Sequence, residues 1–230
     1  MKSAVLIGKH YYCEETTLKN DINYSLYLVT DQSLLKKKPL QEAVQQALEG
    51  GITVLQLREK KANSRDFYEE AIALKRLAKP YNVPLIINDR VDIALACDAD
   101  GVHVGQTDLP VAVVRKMIGP EKIIGASVQT LEQAISAEQA GADYLGVGTM
   151  FPTATKTDAI IVSKNELKKI LQHVSIPVVL IGGLNEHTIA EFKTFPVQGF
   201  AVVSAILAKE EIKKATKELA AQINTIIKKQ

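Results

Sequence analysis

The chain has 230 residues, 47% apolar and 23% charged, with 28 basic against 26 acidic side chains for a formal charge of +2. Such a composition excludes disorder and a collagen-like repeat, and the near-neutral balance provides no global field to recruit nucleic acid or an anionic membrane. With no Trp and 5% aromatic residues it has no base-stacking platform either. Cys13 and Cys97 fit no CxxC pattern and read as reduced thiols. The first apolar run is too short for a signal-peptide core and no run reaches the ~18 residues of a membrane span, so a cytoplasmic location is expected.

Residues 1–23 show no sustained hydrophobic period and read as a short N-terminal extension; residues 24–230 read as one catalytic domain. Short, β-branched apolar runs then recur at Tyr24–Thr30, Thr53–Arg58, Pro84–Asn88, Gly101–Val104, Ile123–Ser127, Tyr144–Gly148, Pro177–Ile181 and Gly199–Val203. They are near-continuous rather than alternating, the pattern of strands buried on both faces. Helical spacing lies between them. Pro39–Glu49 aligns Leu40, Val44, Ala47 and Leu48, and Ser64–Lys79 aligns Phe67, Ala71, Leu74 and Leu77 behind Ser64 as N-cap. Glu210–Ile227 aligns Ile212, Ala215, Leu219, Ile223 and Ile226. Eight strands alternating with helices predict right-handed parallel crossovers and an α/β fold, a closed (β/α)8 TIM barrel. An open doubly wound sheet would want a glycine-rich first turn. The first strand instead ends Thr30-Asp31-Gln32, and Gly146-Val147-Gly148 lacks a third glycine.

In such a barrel the site forms at the C-terminal strand ends. Those ends carry Gln56, Arg58 and Lys60; Asn88 and Asp89; His103 and then Asp108; Ser127; Thr149 to Lys156; Gly182-Gly183; and Val203-Ser204. His103, inside a strand, reads as a hydrogen-bonded core histidine rather than a metal ligand. His10, His173 and His187 form no ligand-spaced cluster. Arg58, Lys60 and Lys156 as cations, with Asp89 and Asp108 as carboxylates, suggest Mg2+ bridging a polyphosphate. The glycine pair suits a second phosphate, because backbone N–H groups there approach an anion that a side chain at Gly183 would crowd. Two anionic subsites, one metal-assisted, point to transfer chemistry with a diphosphate leaving group. Gly125-Ala126-Ser127-Val128-Gln129 lacks the second glycine of a nucleophile elbow, and no P-loop is present.

At QLREK (Gln56–Lys60), INDR (Ile87–Arg90), GVHVGQ with Asp108, ADYLGVG (Ala142–Gly148), PTATK (Pro152–Lys156), IGG (Ile181–Gly183) and VVSAI (Val202–Ile206) the chain closely resembles the thiamine-phosphate synthase (thiamine-phosphate pyrophosphorylase) family. The resemblance implies a transferase of thiamine biosynthesis. It would join 4-amino-2-methyl-5-hydroxymethylpyrimidine diphosphate to 4-methyl-5-hydroxyethylthiazole phosphate, releasing diphosphate. Carried over by position, Gln56, Arg58, Lys60, Asn88, Ser127 and Lys156 would meet the pyrimidine diphosphate, with Arg58, Lys60, Ser127 and Lys156 as the catalytic set. Asp89 and Asp108 would hold Mg2+. Thr153, Thr155, Gly183, Val203 and Ser204 would meet the thiazole phosphate. Its partners would be these small molecules, with neither nucleic acid nor membrane, and a homo-oligomer is left open. The family often has proline where Thr149 stands and Thr-His where Val128-Gln129 stand, which bears on loop shape. Competing readings are a thiazole tautomerase of the same fold, which would not need the full cation and carboxylate set, and a non-catalytic sensor of thiamine phosphates.

Overall fold

The structure is a computed structural model that describes residues 21–35, 38–153 and 160–227. Every apolar run contains a strand: β1 (Leu26–Val29), β2 (Val54–Leu57), β3 (Leu85–Asn88), β4 (Gly101–Val104), β5 (Ile123–Val128), β6 (Tyr144–Val147), β7 (Val178–Ile181) and β8 (Gly199–Val202). All pair in parallel and in chain order, and the sheet closes where β1 meets β8 with Leu28 opposite Val202. A closed sheet wrapped by helices leaves neither face to water, which is why the runs are apolar throughout. Four strands, β1, β2, β6 and β8, stop one residue short of the end of the apolar run, so Thr30, Arg58, Gly148 and Val203 fall just past the strand, while β5 runs one residue beyond, to Val128.

Side chains still alternate in direction along each strand. Leu26, Leu28, Leu55, Leu57, Val102 and Leu145 point outward into the core shared with the helices. Tyr27, Val29, Val54, Ile86, Ile123, Tyr144, Val179 and Ala201 fill the barrel interior as a separate cluster. This parity turns Gln56, Asn88 and Ser127 inward, each an even number of residues beyond an inward position, and His103 inward between the outward Val102 and Val104. Their place near the C-terminal ends puts them at the open mouth.

The outer layer comprises α1 (Leu40–Gly50), α2 (Ser64–Ala78), α3 (Val91–Ala96), α4 (Val111–Ile118), α5 (Leu131–Gln139), α6 (Lys164–His173), α7 (Ser204–Leu207) and α8 (Ile212–Ile227). The connection from β7 to β8 carries a 3-10 turn, Ile189–Phe192, in place of a full α-helix. Two helix expectations need correction. Asn63 rather than Ser64 caps α2, its side chain accepting the Asp66 N–H at 3.0 Å. On α8 the fully buried position is Thr216, not Ala215, because the Thr216 hydroxyl donates to Ile212 O at 2.7 Å and so satisfies itself within the helix.

At the opposite end of the barrel, acidic side chains bind N–H groups near the start of the strands. Asp100 accepts from Leu85 N at 2.7 Å and Asp143 from Ile124 N at 2.8 Å. Arg115 of α4 pairs with Asp143 and donates to the carbonyls of Gly119 at 2.8 Å and Lys122 at 2.7 Å. Among the described residues no helix is long and apolar enough to cross a membrane.

Candidate active site

A chain of hydrogen bonds crosses the barrel interior below the mouth. Gln56 Nε2 donates to the Tyr27 hydroxyl at 2.7 Å, which lies 2.7 Å from the Tyr144 hydroxyl. Tyr144 lies 2.9 Å from His103 Nδ1, and His103 Nε2 lies 2.8 Å from Ser127 Oγ. Tyr24 stacks against Tyr144 with ring centroids 4.8 Å apart. Burial pushes the phenol pKa of Tyr24, Tyr27 and Tyr144 upward, so the three rings stay neutral. Gly125 makes room for this cluster, because a Cβ there would collide with the Tyr144 ring and His103 Nδ1. His103 is thus the hydrogen-bonded core histidine expected. Tyr27 and Tyr144 had no role in the sequence reading; an amphipathic ring at an inward strand position was their only signal.

The charged groups gather where β2, β3 and β4 end. Arg58 lies 3.6 Å from Asp31, and its backbone N–H is held by Thr30 Oγ1 at 2.9 Å. Lys60 pairs with Asp89, whose other oxygen accepts from Asn88 Nδ2 at 2.8 Å. The Asp89 backbone has a left-handed φ of 62° and its N–H donates to His103 O at 2.8 Å, tying β3's end to β4. Asp108 Oδ2 accepts the Gly105 N–H at 2.7 Å. Burial raises the Asp89 pKa; the neighbouring Asp108 raises it further, against the Lys60 charge. Two adjoining carboxylates resist joint ionisation, and a divalent cation relieves that repulsion. Among the described residues no third His, Cys, Asp or Glu completes a metal-binding group. Two carboxylates that leave the remaining positions to phosphate and water fit Mg2+ rather than a closed, all-protein site.

The second anion region follows from register. Ile181 pairs with Ala201, so two residues later Gly183 and Val203 leave adjacent strands side by side. Gly182 and Gly183 have φ of 96° and 66°, and Gly183 O accepts from Thr188 Oγ1 at 3.2 Å. Among the described residues no acceptor meets the Gly183 N–H. A Cβ at Gly183 would also meet Phe151 Cβ at 2.6 Å, so the loop itself has no room for a side chain there. Val203 is half-buried and Ser204 exposed at the start of α7. Thr153 is described at the edge of this region, whereas Thr155 and Lys156 lie outside the described residues.

Of the two family departures, Thr149 packs against the glycine pair, since a Cβ at Gly182 would lie 2.5 Å from Thr149 Cγ2. Thr149 is buried, its N–H on Ile160 O at 3.3 Å and its carbonyl accepting from Val162 N at 2.8 Å. Val128 points into the outer core, and Gln129 N bonds Gln133 Oε1 at 2.8 Å. Asp31, which partners Arg58, was not among the expected site residues. The strand-end tripeptide Thr30-Asp31-Gln32 was its only trace in the sequence.

A closed (β/α)8 barrel with paired carboxylates, cations and a glycine cradle at its C-terminal face defines a class: barrel enzymes that handle phosphorylated substrates. A profile of the thiamine monophosphate synthase family matches residues 26–206, and the chain belongs to that family. It is 53% identical over 213 residues to a thiamine-phosphate synthase of Clostridium botulinum, covering 91% of this chain and 100% of that one. The corresponding protein of Ruminiclostridium cellulolyticum is 57% identical over 202 residues, covering 88% and 96%. The solved structure of a thiamine phosphate pyrophosphorylase from Pyrococcus furiosus superimposes with a TM-score of 0.83 at 44% identity, covering 90% of this chain and 98% of that one.

Proposed function

We propose that this chain is a cytoplasmic transferase joining 4-amino-2-methyl-5-hydroxymethylpyrimidine diphosphate to 4-methyl-5-hydroxyethylthiazole phosphate. The products are thiamine phosphate and diphosphate. We assign catalysis to residues 24–230. The observation that carries the reading is the meeting of Lys60, Asn88, Asp89 and Asp108 at the ends of β2, β3 and β4, beside the polar chain that ends in Ser127 on the neighbouring β5.

The bond from the pyrimidine methylene to the diphosphate oxygen breaks with its electron pair leaving on oxygen. The thiazole nitrogen then supplies the pair for the new C–N bond. The aminopyrimidine ring delocalises the positive charge between the two events, so no protein nucleophile is needed. Arg58, Lys60 and Lys156 balance the charge that builds on the leaving diphosphate. Asp89 and Asp108 would hold Mg2+, which when bound supplies further positive charge at the same oxygens. Gln56 and Ser127 orient the pyrimidine, while Thr153, Thr155, the Gly183 N–H and the Val203-Ser204 backbone hold the thiazole phosphate. Orientation of two bound reactants is worth about 7–11 kcal/mol in favourable cases. A tautomerase acting on the thiazole phosphate alone would have no use for the Lys60, Asp89 and Asp108 cluster.

The test is direct. Incubation with both substrates and Mg2+ should yield thiamine phosphate and diphosphate in equal amounts; conversion of the thiazole phosphate alone, or binding without turnover, would overturn the reading.

A further inference from the structure

The hydrogen-bond chain in the barrel has a direction. An amide nitrogen cannot accept, so Gln56 Nε2 donates and the Tyr27 oxygen receives. Either hydroxyl can donate between Tyr27 and Tyr144, 2.7 Å apart; Tyr27 has no other acceptor among the described residues, so its proton goes to Tyr144 and that of Tyr144 to His103 Nδ1 at 2.9 Å. A nitrogen that accepts carries no hydrogen, which places the imidazole proton on Nε2. Nε2–H donates to Ser127 Oγ at 2.8 Å, and the Ser127 hydroxyl proton is left to point elsewhere. The Ser127 carbonyl accepts from Gln106 Nε2 at 2.7 Å, which steadies the backbone carrying that hydroxyl. Four strands besides β5 contribute to aiming one hydroxyl: β2, β1, β6 and β4.

We propose that Tyr27, Tyr144 and His103 are positioning residues that lock the His103 imidazole as its Nε2–H tautomer and thereby turn Ser127 into a hydrogen-bond donor facing the pyrimidine diphosphate. The proposal rests on the reading that Ser127 meets that substrate. Burial keeps both phenols protonated, so each remains available as donor and acceptor at once. The packing enforces the same arrangement. A Cβ at Gly146 would lie 3.0 Å from His103 Cε1, so a larger residue would push the imidazole off its line between Tyr144 and Ser127.

Two measurements decide it. The full chain labelled with 15N-histidine reports the tautomer through the imidazole nitrogen shifts, with His103 assigned by comparison with His103→Asn. His103 should show a protonated Nε2 and a bare Nδ1, and Tyr144→Phe, which keeps the ring but loses the donor, should abolish that fixed tautomer. A protonated Nδ1 in the unsubstituted chain overturns the proposal. The second is a double-mutant cycle on kcat. Tyr144→Phe should lower kcat roughly tenfold, the scale of one lost buried hydrogen bond, without changing the KM for the thiazole phosphate. In a Ser127→Ala background the same change should cost less than about twofold, since the hydroxyl it aims is gone. Losses that multiply instead would mean that Tyr144 acts only through packing. If the unsubstituted chain forms no thiamine phosphate, the functional reading fails, while the NMR experiment still reads the tautomer.

Discussion

Lys60 and Asp89 form an ion pair between the loops that follow β2 and β3, and Asp89 holds that position with a left-handed backbone, φ 62°. A cation suited to a leaving diphosphate and a carboxylate suited to its counter-ion are therefore set against each other, with Asp108 pressing on the same carboxylate. A non-glycine residue in this conformation carries strain, and strain of this kind concentrates at functional sites.

The backbone at Asp89 separates charge from conformation. Asn tolerates the left-handed region, keeps an oxygen for Asn88 Nδ2 and loses the charge. Asp89→Asn should therefore lower turnover roughly 10²–10³-fold with little change in thermal midpoint. Asp89→Ala should lose activity similarly and also about 1 kcal/mol of stability. Steady-state kinetics with thermal unfolding of both variants check this; near-normal turnover of Asp89→Asn in excess chelator would remove Asp89 from metal binding.

Gly183 separates the two anion subsites. Its positive φ and its closeness to Phe151 mean that any side chain displaces the loop, so Gly183→Ala should cost about 1–2 kcal/mol of stability. The KM for the thiazole phosphate should rise while that for the pyrimidine diphosphate holds. A rise confined to the pyrimidine diphosphate would show that the cradle serves the other substrate.

Glu70, on α2, gives a pH-dependent prediction. Its Oε1 is buried with no hydrogen-bond partner among the described residues, and burial raises its pKa above the ordinary value. A folded-state pKa above the unfolded one means that the fold favours the protonated form. The associated stability is present below the unfolded pKa and is lost as pH rises through the folded one. Glu70→Gln should therefore raise the thermal midpoint at pH 7 and have no such effect at pH 3. A gain of equal size at both pH values would point to packing rather than ionisation.

The Arg115–Asp143 pair tests the far end of the barrel. The side chains are only 19% and 16% exposed, and Arg115→Ala would remove the counter-charge of Asp143 and the donor to the Gly119 and Lys122 carbonyls. It should cost about 2–4 kcal/mol in denaturant unfolding with kcat unchanged, because the pair lies at the end opposite the mouth.

Local signals located most elements because burial on both faces of a strand, or on one stripe of a helix, leaves a periodic trace in the chain. They failed where satisfaction of polar groups decided the outcome. Asn63 displaced Ser64 as the cap of α2, and Thr216 entered the core of α8 by bonding its own helix. At the strand ends the charges of Arg58, Lys60, Asp89 and Asp108 stand out against the apolar runs they follow, whereas the uncharged Gln56 and Asn88 were marked only by the QLREK and INDR motifs.

The sequence alone determined the barrel and which strand ends carry charge, because both follow from residue type and spacing along the chain. Only the tertiary structure decided which of those residues face one another. Closure of the sheet brings Tyr27 beside Tyr144, 117 positions apart, and so joins Gln56 to Ser127. Nothing local encodes that contact. It arises because a parallel barrel must bring its first strand back beside its last and point alternate side chains into one shared, water-poor interior, where every buried hydroxyl has to find a partner across the sheet.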